Sequence, residues 1–156
     1  YSNTVLGNYI GPDASGNNLI DAREGIGIIY APNNTIGGTA PGAGNLISGN
    51  YEGLTIEGNS ASGNVVQGNL IGTNAARTAA LGSTYDGVFI DGAPNTTTGG
   101  TTSGARNVIS GNGYNGIRIE SSGATGILGQ GDENGTNREG TQAIGNTTAG
   151  GRMELG

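Results

Sequence analysis

The chain has 156 residues, 34 of them glycine, and its 12 acidic and 6 basic side chains give a formal net charge of −6. It contains no Cys and no His, which excludes disulfides, the commonest metal ligand and the usual general base. The acidic balance argues against nucleic-acid binding, and no run of residues approaches the ~18 apolar positions of a membrane span.

The sequence repeats itself with offsets of 61 and 62 residues. Residues 3–8 (NTVLGN) return at 64–69 (NVVQGN), and residues 39–50 (TAPGAGNLISGN) return at 101–112 (TTSGARNVISGN). A fixed internal period is typical of a solenoid, whose units bury their apolar faces only against their neighbours.

Two short strand signatures alternate along the chain. The first is Gly-aliphatic-X-Ile, and it occurs at 25–28, 53–56, 87–90 and 116–119. The second begins and ends with Asn, and it occurs at 3–8, 45–50, 64–69 and 107–112. Apolar residues alternate with others at period two, which indicates half-buried strands. Since no stretch keeps a 3.6-residue period, we expect almost no helix.

These spacings predict an all-β fold, a parallel β-helix (β-solenoid) of about five rungs built from two tandem super-repeats of about 62 residues. The full rungs are expected at about 25–52, 53–86 and 87–115. Residues 1–122 form the repeats, and 123–156 form a last irregular rung or a C-terminal cap. The expected inward columns are Ile26/Leu54/Val88/Ile117, Ile28/Ile56/Ile90/Ile119 and Val5/Ile47/Val66/Ile109.

Polar residues mark the turns of this coil. The terminal asparagines of the second signature, which are Asn8, Asn50, Asn69 and Asn112, are predicted to form a structural ladder of amides bonded from rung to rung. Two longer excursions, 12–24 and 73–86, occupy equivalent places and should leave the same side of the solenoid.

With these motifs the chain resembles the right-handed parallel β-helix repeat proteins, the pectate-lyase-like group. More narrowly, it is similar to the Gly/Asn-rich repeats of large secreted bacterial surface proteins. The resemblance covers residues 1 to about 122. It implies an extracellular or cell-surface location, and the group includes polysaccharide lyases, glycosidases, adhesins and structural arrays.

Aligning the Gly-aliphatic-X-Ile strands gives one enzymatic candidate. The residue after each strand forms the column Ile29, Glu57, Asp91 and Glu120, and Arg118 lies on the same outer face. Rungs stacked at about 4.8 Å would place these carboxylates near the separations used by glycosidases. The alternative is a solvated structural face, on which a bound Ca²⁺ ion could relieve the repulsion between carboxylates.

The resemblance implies Ca²⁺-binding acids and an Arg or Lys base if the chain is a lyase. The chain has no Lys, and Arg118 is the only Arg in the predicted stack, which argues against a lyase. The sequence therefore favours a protein that is not an enzyme and needs no cofactor, without excluding catalysis.

Three functions compete at this point. The first, which we rank highest, is a structural solenoid that stacks end to end into a homopolymer or continues into further rungs of a longer parent chain. The reason for this rank is that the repeat begins within three residues of Tyr1 without a cap. The second is a carbohydrate-active enzyme using Glu57, Asp91, Glu120 and Arg118. The third is an adhesin module that binds a polysaccharide through loops and aromatics such as Tyr30, Tyr85 and Phe89.

Overall fold

Each short alternating segment forms a strand that pairs in parallel with the equivalent segments one turn before and one turn after it. A computed structural model describes residues 2–20 and 22–154. It shows three parallel sheets of five strands each, stacked as a β-solenoid of five turns, and no helix among the described residues. The predicted fold class, an all-β parallel solenoid of about five rungs, is confirmed.

Each turn of the coil contributes one strand to each sheet, in the order first, second, third sheet. In chain order the strands are β1 (Thr4–Val5), β2 (Tyr9–Ile10) and β3 (Ala22–Ile29); β4 (Thr35–Gly37), β5 (Leu46–Ile47) and β6 (Asn50–Glu57); β7 (Val65–Gln67), β8 (Leu70–Ile71) and β9 (Val88–Asp91); β10 (Thr97–Gly99), β11 (Val108–Ile109) and β12 (Asn115–Glu120); and β13 (Leu128–Gln130), β14 (Glu133–Asn134) and β15 (Ala149–Glu154).

The register of the third sheet confirms two of the three predicted inward columns. Ile26 pairs with Leu54, which pairs with Val88, and Val88 pairs with Ile117. The second column, Ile28/Ile56/Ile90/Ile119, follows the same register. Leu54, Ile56, Val88 and Ile90 are fully buried, so these columns form the middle of the core.

The third predicted column was wrong, because it mixed residues of two sheets. Val5 and Val66 lie in the first sheet, where the column is Val5/Ile36/Val66/Thr98. Ile47 and Ile109 lie in the second sheet, where the column is Ile10/Ile47/Ile71/Ile109. The Asn-to-Asn signature surrounds the strands of both sheets, so its local pattern does not distinguish them.

The sequence repeat corresponds to two turns of the coil. The first, third and fifth turns each carry an excursion after the second sheet, closed by an antiparallel bridge: Pro12–Leu19, Thr73–Ala80 and Thr136–Ala143. Ala75 donates its backbone N–H to the carbonyl of Gly16, so the first two excursions leave the same side, as predicted. The third excursion was not predicted, because its flanking sequence departs from the repeat.

The apolar core becomes sparse in the fifth turn. Its strands pair with the fourth turn in all three sheets. Its inward positions, however, hold Gly129, Asn134 and Gly151 in place of aliphatic residues. Met153 stands above Ile119 and is 60% exposed. This turn therefore contributes backbone pairing more than hydrophobic burial.

Candidate functional site

The predicted carboxylate column exists as a row across the third sheet. Glu57 pairs with Ile29 on one side and with Asp91 on the other, and Asp91 pairs with Glu120. Glu154 of β15 extends the row by one turn. Strand spacing places neighbouring members about 4.8 Å apart at the backbone.

Two of these carboxylates line a shallow pocket of about 430 Å³, which we call the Tyr30 pocket. Glu57 and Asp91 share it with Asn59, Ser121 and Tyr30, and Tyr30 is 65% exposed. The Ser121 hydroxyl donates a hydrogen bond to Asp91 Oδ1. An exposed aromatic face beside two carboxylates and an amide is a set that can stack on and hydrogen-bond to a sugar.

The other two candidates, Arg118 and Glu120, are engaged with each other outside this pocket. Arg118 donates from Nη2 to Glu120 Oε1, and its Nη1 lies 3.7 Å from Asp86 Oδ2. The guanidinium also lies 5.0 Å from the centre of the Phe89 ring. Arg118 therefore holds several turns of the outer face together, and it covers the ring of Phe89.

A second acidic row, which the sequence analysis missed, lies next to Arg118. It runs through Glu24, Glu52 and Asp86. Asp86 is fully buried; its Oδ1 accepts hydrogen bonds from the backbone and side-chain amides of Asn115, while its Oδ2 has no hydrogen-bond partner. Burial, with repulsion from Asp86 as a second cause, raises the pKa of Glu52 to about 7.

Three tyrosines stack beside this second row. The ring centres of Tyr51 and Tyr85 are 4.5 Å apart, and those of Tyr85 and Tyr114 are 6.5 Å apart. The sequence carries a signal for both features, since Tyr-X-Gly stands directly before the aliphatic residues of three strands of this sheet, with Glu52, Asp86 and Asn115 at the middle position. Tyr85, expected among the exposed aromatics, is 40% exposed and packs between the other two rings.

The four asparagines predicted as one ladder lie at two different corners. Asn8 and Asn69 belong to the row between the first and second sheets, Asn8/Asn45/Asn69/Asn107/Asp132. Asn112 belongs to the row between the second and third sheets, Ser83/Asn112/Asn146. Asn50 lies at the same corner, where its backbone carbonyl accepts a hydrogen bond from Thr84 and its Oδ1 has no hydrogen-bond partner. The prediction of a single ladder was therefore wrong, because the Asn-to-Asn signature surrounds the strands of two sheets and its two asparagines lie at different corners.

The first of these rows, which we call the long ladder, runs through all five turns. In each step the backbone N–H and the side-chain amide of one residue both donate to the side-chain oxygen of the next, at 2.9–3.0 Å. A third row, Asn3/Asn34/Asn64, repeats this pattern before the first sheet. The ladder ends on Asp132, where burial raises the pKa of the carboxyl above its ordinary value.

Among residues 2–20 and 22–154, no group of three or more acidic, His or Cys side chains is arranged to hold a metal ion. Within the same part of the chain, no helix has the length and apolarity needed to cross a membrane.

Comparisons with protein-family models, with curated proteins and with solved structures find no match to this chain.

Proposed function

We propose that this chain is a non-catalytic structural module of an extracellular or cell-surface protein of the Gly/Asn-rich bacterial type. The single observation that carries the proposal is the long ladder, which binds one turn to the next through amide side chains over the whole coil. Buried amides bonded on both sides give a rod with one preferred register. Such a rod suits a spacer or a fibre.

The contacts of the candidate catalytic residues favour a non-catalytic role, because Arg118, the one arginine of the predicted set, is already paired with carboxylates. Arg118 contacts Glu120, Asp86 and Glu154. If the Arg118 side chain left these contacts to act on a substrate, the buried carboxylate of Asp86 would lose its cationic neighbour. An unpaired buried charge destabilises the folded state, so this movement is unfavourable.

The test of the non-catalytic role is incubation of the purified chain with a panel of acidic and neutral polysaccharides, followed by measurement of reducing ends and unsaturated products. The proposal expects no product above the level of a heat-denatured control. Depolymerisation that disappears in Glu57→Gln and Asp91→Asn would overturn it in favour of a glycoside hydrolase or lyase.

We further propose that the outer edges of the first and last described turns pair with further turns, of a longer chain or of another copy. Strands β3 and β15 are the outer strands of the third sheet, and each leaves one edge without a described partner. Pairing between copies would be head to tail and would give filaments.

Electron micrographs of the purified chain test this stacking. Met153→Lys puts a charge on the exposed core position of the last turn and should abolish any filaments. Ala76→Lys, on the tip of a lateral excursion, makes the same charge change and should leave them intact. Filaments that survive Met153→Lys would exclude stacking through the last described turn. Wild-type protein that stays monomeric at high concentration would exclude stacking between copies altogether.

A second candidate function, glycan binding, is favoured by the Tyr30 pocket. Tyr30 is the most exposed of the described tyrosines, and it lies beside the two carboxylates of Glu57 and Asp91. Tyr30→Ala should then abolish binding in a glycan array, whereas Tyr114→Ala, in the tyrosine stack, should not. Equal loss in both variants would indicate a general effect on the fold and would exclude this site.

A further inference from the structure

A groove lies over the outer surface of the second sheet, on a different face from the Tyr30 pocket. Its volume is about 630 Å³, and its floor is formed by the outward residues Tyr9, Leu46 and Leu70. One wall is formed by the excursions of the third and fifth turns, at Ala75, Arg77 and Arg138. The other wall is formed by the glycine-rich corner loops of the second and fourth turns, at 38–44 and 103–104.

The charge of this groove is opposite to that of the molecule. Its lining contains two arginines, Arg77 and Arg138, and no acidic residue, in a chain with a net charge of −6. Among the described residues neither arginine forms a salt bridge; Arg138 Nη2 donates to the carbonyl of Ser103, 2.6 Å away across the groove. The Nε of Arg77 is buried without a hydrogen-bond partner.

Arg77 occupies a backbone conformation that the other excursions assign to glycine. Its φ is 61°, and the equivalent residues are Gly16, with φ 69°, and Gly140, with φ 66°. In all three excursions this residue donates its N–H to the carbonyl three positions earlier, so the loops have the same geometry. Strained backbone positions cluster at ligand-binding sites, so an arginine held where glycine would fit without strain marks this groove as a candidate.

We propose that this groove binds an oligosaccharide chain that carries oxyanion groups, with Arg77 and Arg138 contacting its carboxylates or sulfates. Guanidinium groups recognise planar and tetrahedral oxyanions through paired N–H donors. Tyr9, 51% exposed at one end of the floor, offers a face for a sugar ring. A peptide strand fits less well, because two of the three floor strands, β5 and β8, are paired on both sides, and β2 offers an edge only at the end of the coil.

The test is binding of the full chain to four polymers, measured by isothermal titration calorimetry. Heparin presents sulfates in addition to carboxylates, polygalacturonate presents carboxylates alone, dextran is neutral, and polyglutamate is an acidic peptide. We expect binding to heparin, polygalacturonate or both, weakening as salt rises, and none to dextran or polyglutamate. Binding to heparin alone would show that sulfates are required, and binding to polygalacturonate would show that carboxylates are sufficient.

Variants then locate the site. Arg77→Gly and Arg138→Gln should each weaken binding about 10-fold. Arg152→Gln removes the same charge from the third sheet and should bind as wild type does. Tyr30→Ala is measured beside it to report on the other pocket. Arg77→Gly should also raise the midpoint of thermal unfolding, which separates lost affinity from lost structure.

Four results would overturn this assignment. They are no binding to either acidic polysaccharide, equal binding to dextran, binding to polyglutamate as tight as to the polysaccharides, and the same loss of affinity in Arg152→Gln as in Arg77→Gly. A loss confined to Tyr30→Ala would instead move the glycan site to the Tyr30 pocket.

Discussion

At the scale of single residues, the buried amides are the feature that distinguishes this chain from an ordinary apolar coil. Asn45, Asn69 and Asn107 are buried, yet both amide hydrogens and the side-chain oxygen of each are used. A buried polar group costs free energy only when its partners are missing. The ladder can therefore sit at a corner of the core while it fixes the register.

Replacing one rung of the long ladder should be costly in the middle of the coil. Asn69→Ala removes the oxygen that accepts from the backbone and side chain of Asn45, and leaves both buried donors without a partner. We expect a loss of about 3 kcal/mol in the free energy of unfolding, measured in urea. Asn8→Ala, at the exposed end of the ladder, should cost less than about 1 kcal/mol; equal losses would contradict the account.

Glu52 predicts a pH dependence of stability. Its pKa rises from 4.5 to about 7 on folding, so the folded chain binds more protons than the unfolded chain between these values. Stability contributed by the protonated carboxyl is therefore present below pH 4.5 and is lost as pH rises towards about 7. Because the side chain is half-exposed, solvent screening reduces the effect to about 1 kcal/mol.

The variant Glu52→Gln should remove this slope, since an amide resembles the protonated acid. It should match wild type at pH 4 and exceed it at pH 8 in urea unfolding. Glu139→Gln, on an exposed loop, makes the same charge change and serves as the control. A Glu52→Gln curve parallel to wild type across this range would show that Glu52 does not titrate as described.

At the scale of elements, the corner that begins the third sheet decides how closely the turns stack. Gly25, Gly53, Gly87 and Gly116 recur there, and a Cβ on Gly53 would collide with the carbonyl oxygen of Gly87 in the next turn. The glycine that opens each Gly-aliphatic-X-Ile strand is therefore required by close approach of one backbone to another.

Gly53→Ala should separate the second and third turns at this corner. We expect a loss of at least about 2 kcal/mol in the free energy of unfolding, because the backbone carbonyl it meets cannot rotate away. Gly145→Ala has no atom within 4 Å of the added carbon and should be close to neutral. A neutral Gly53→Ala would mean that the turns are farther apart than described.

The sequence predicted the third sheet well and the other two poorly, for a physical reason. The third sheet has strands of four or more residues in every turn. In the first four turns each strand contains or directly follows the glycine of the Gly-aliphatic-X-Ile signature, so equivalent positions align. The strands of the first and second sheets are mostly two or three residues long and lie between the same Gly and Asn corners, so their alignment was ambiguous. Glu52 and Asp86 were missed because they precede the apolar segment and resemble loop residues.

At the scale of the whole molecule, the two-turn repeat gives the solenoid two different long faces. The second sheet is covered by alternating excursions and corner loops, which create the groove with Arg77 and Arg138. The third sheet carries the acidic rows, the tyrosine stack and the Tyr30 pocket. The groove could not be predicted from sequence, because its two walls come from different turns.

The central claim is that equivalent aliphatic side chains stand above one another in successive turns. Methyl–methyl nuclear Overhauser effects in solution test it most directly, using Ile28, Ile56, Ile90 and Ile119. Neighbouring turns are about 4.8 Å apart, so strong effects are predicted between consecutive members of this series, with none between Ile28 and Ile90 or Ile119. Effects between Ile28 and Ile119, or their absence between Ile56 and Ile90, would contradict the account.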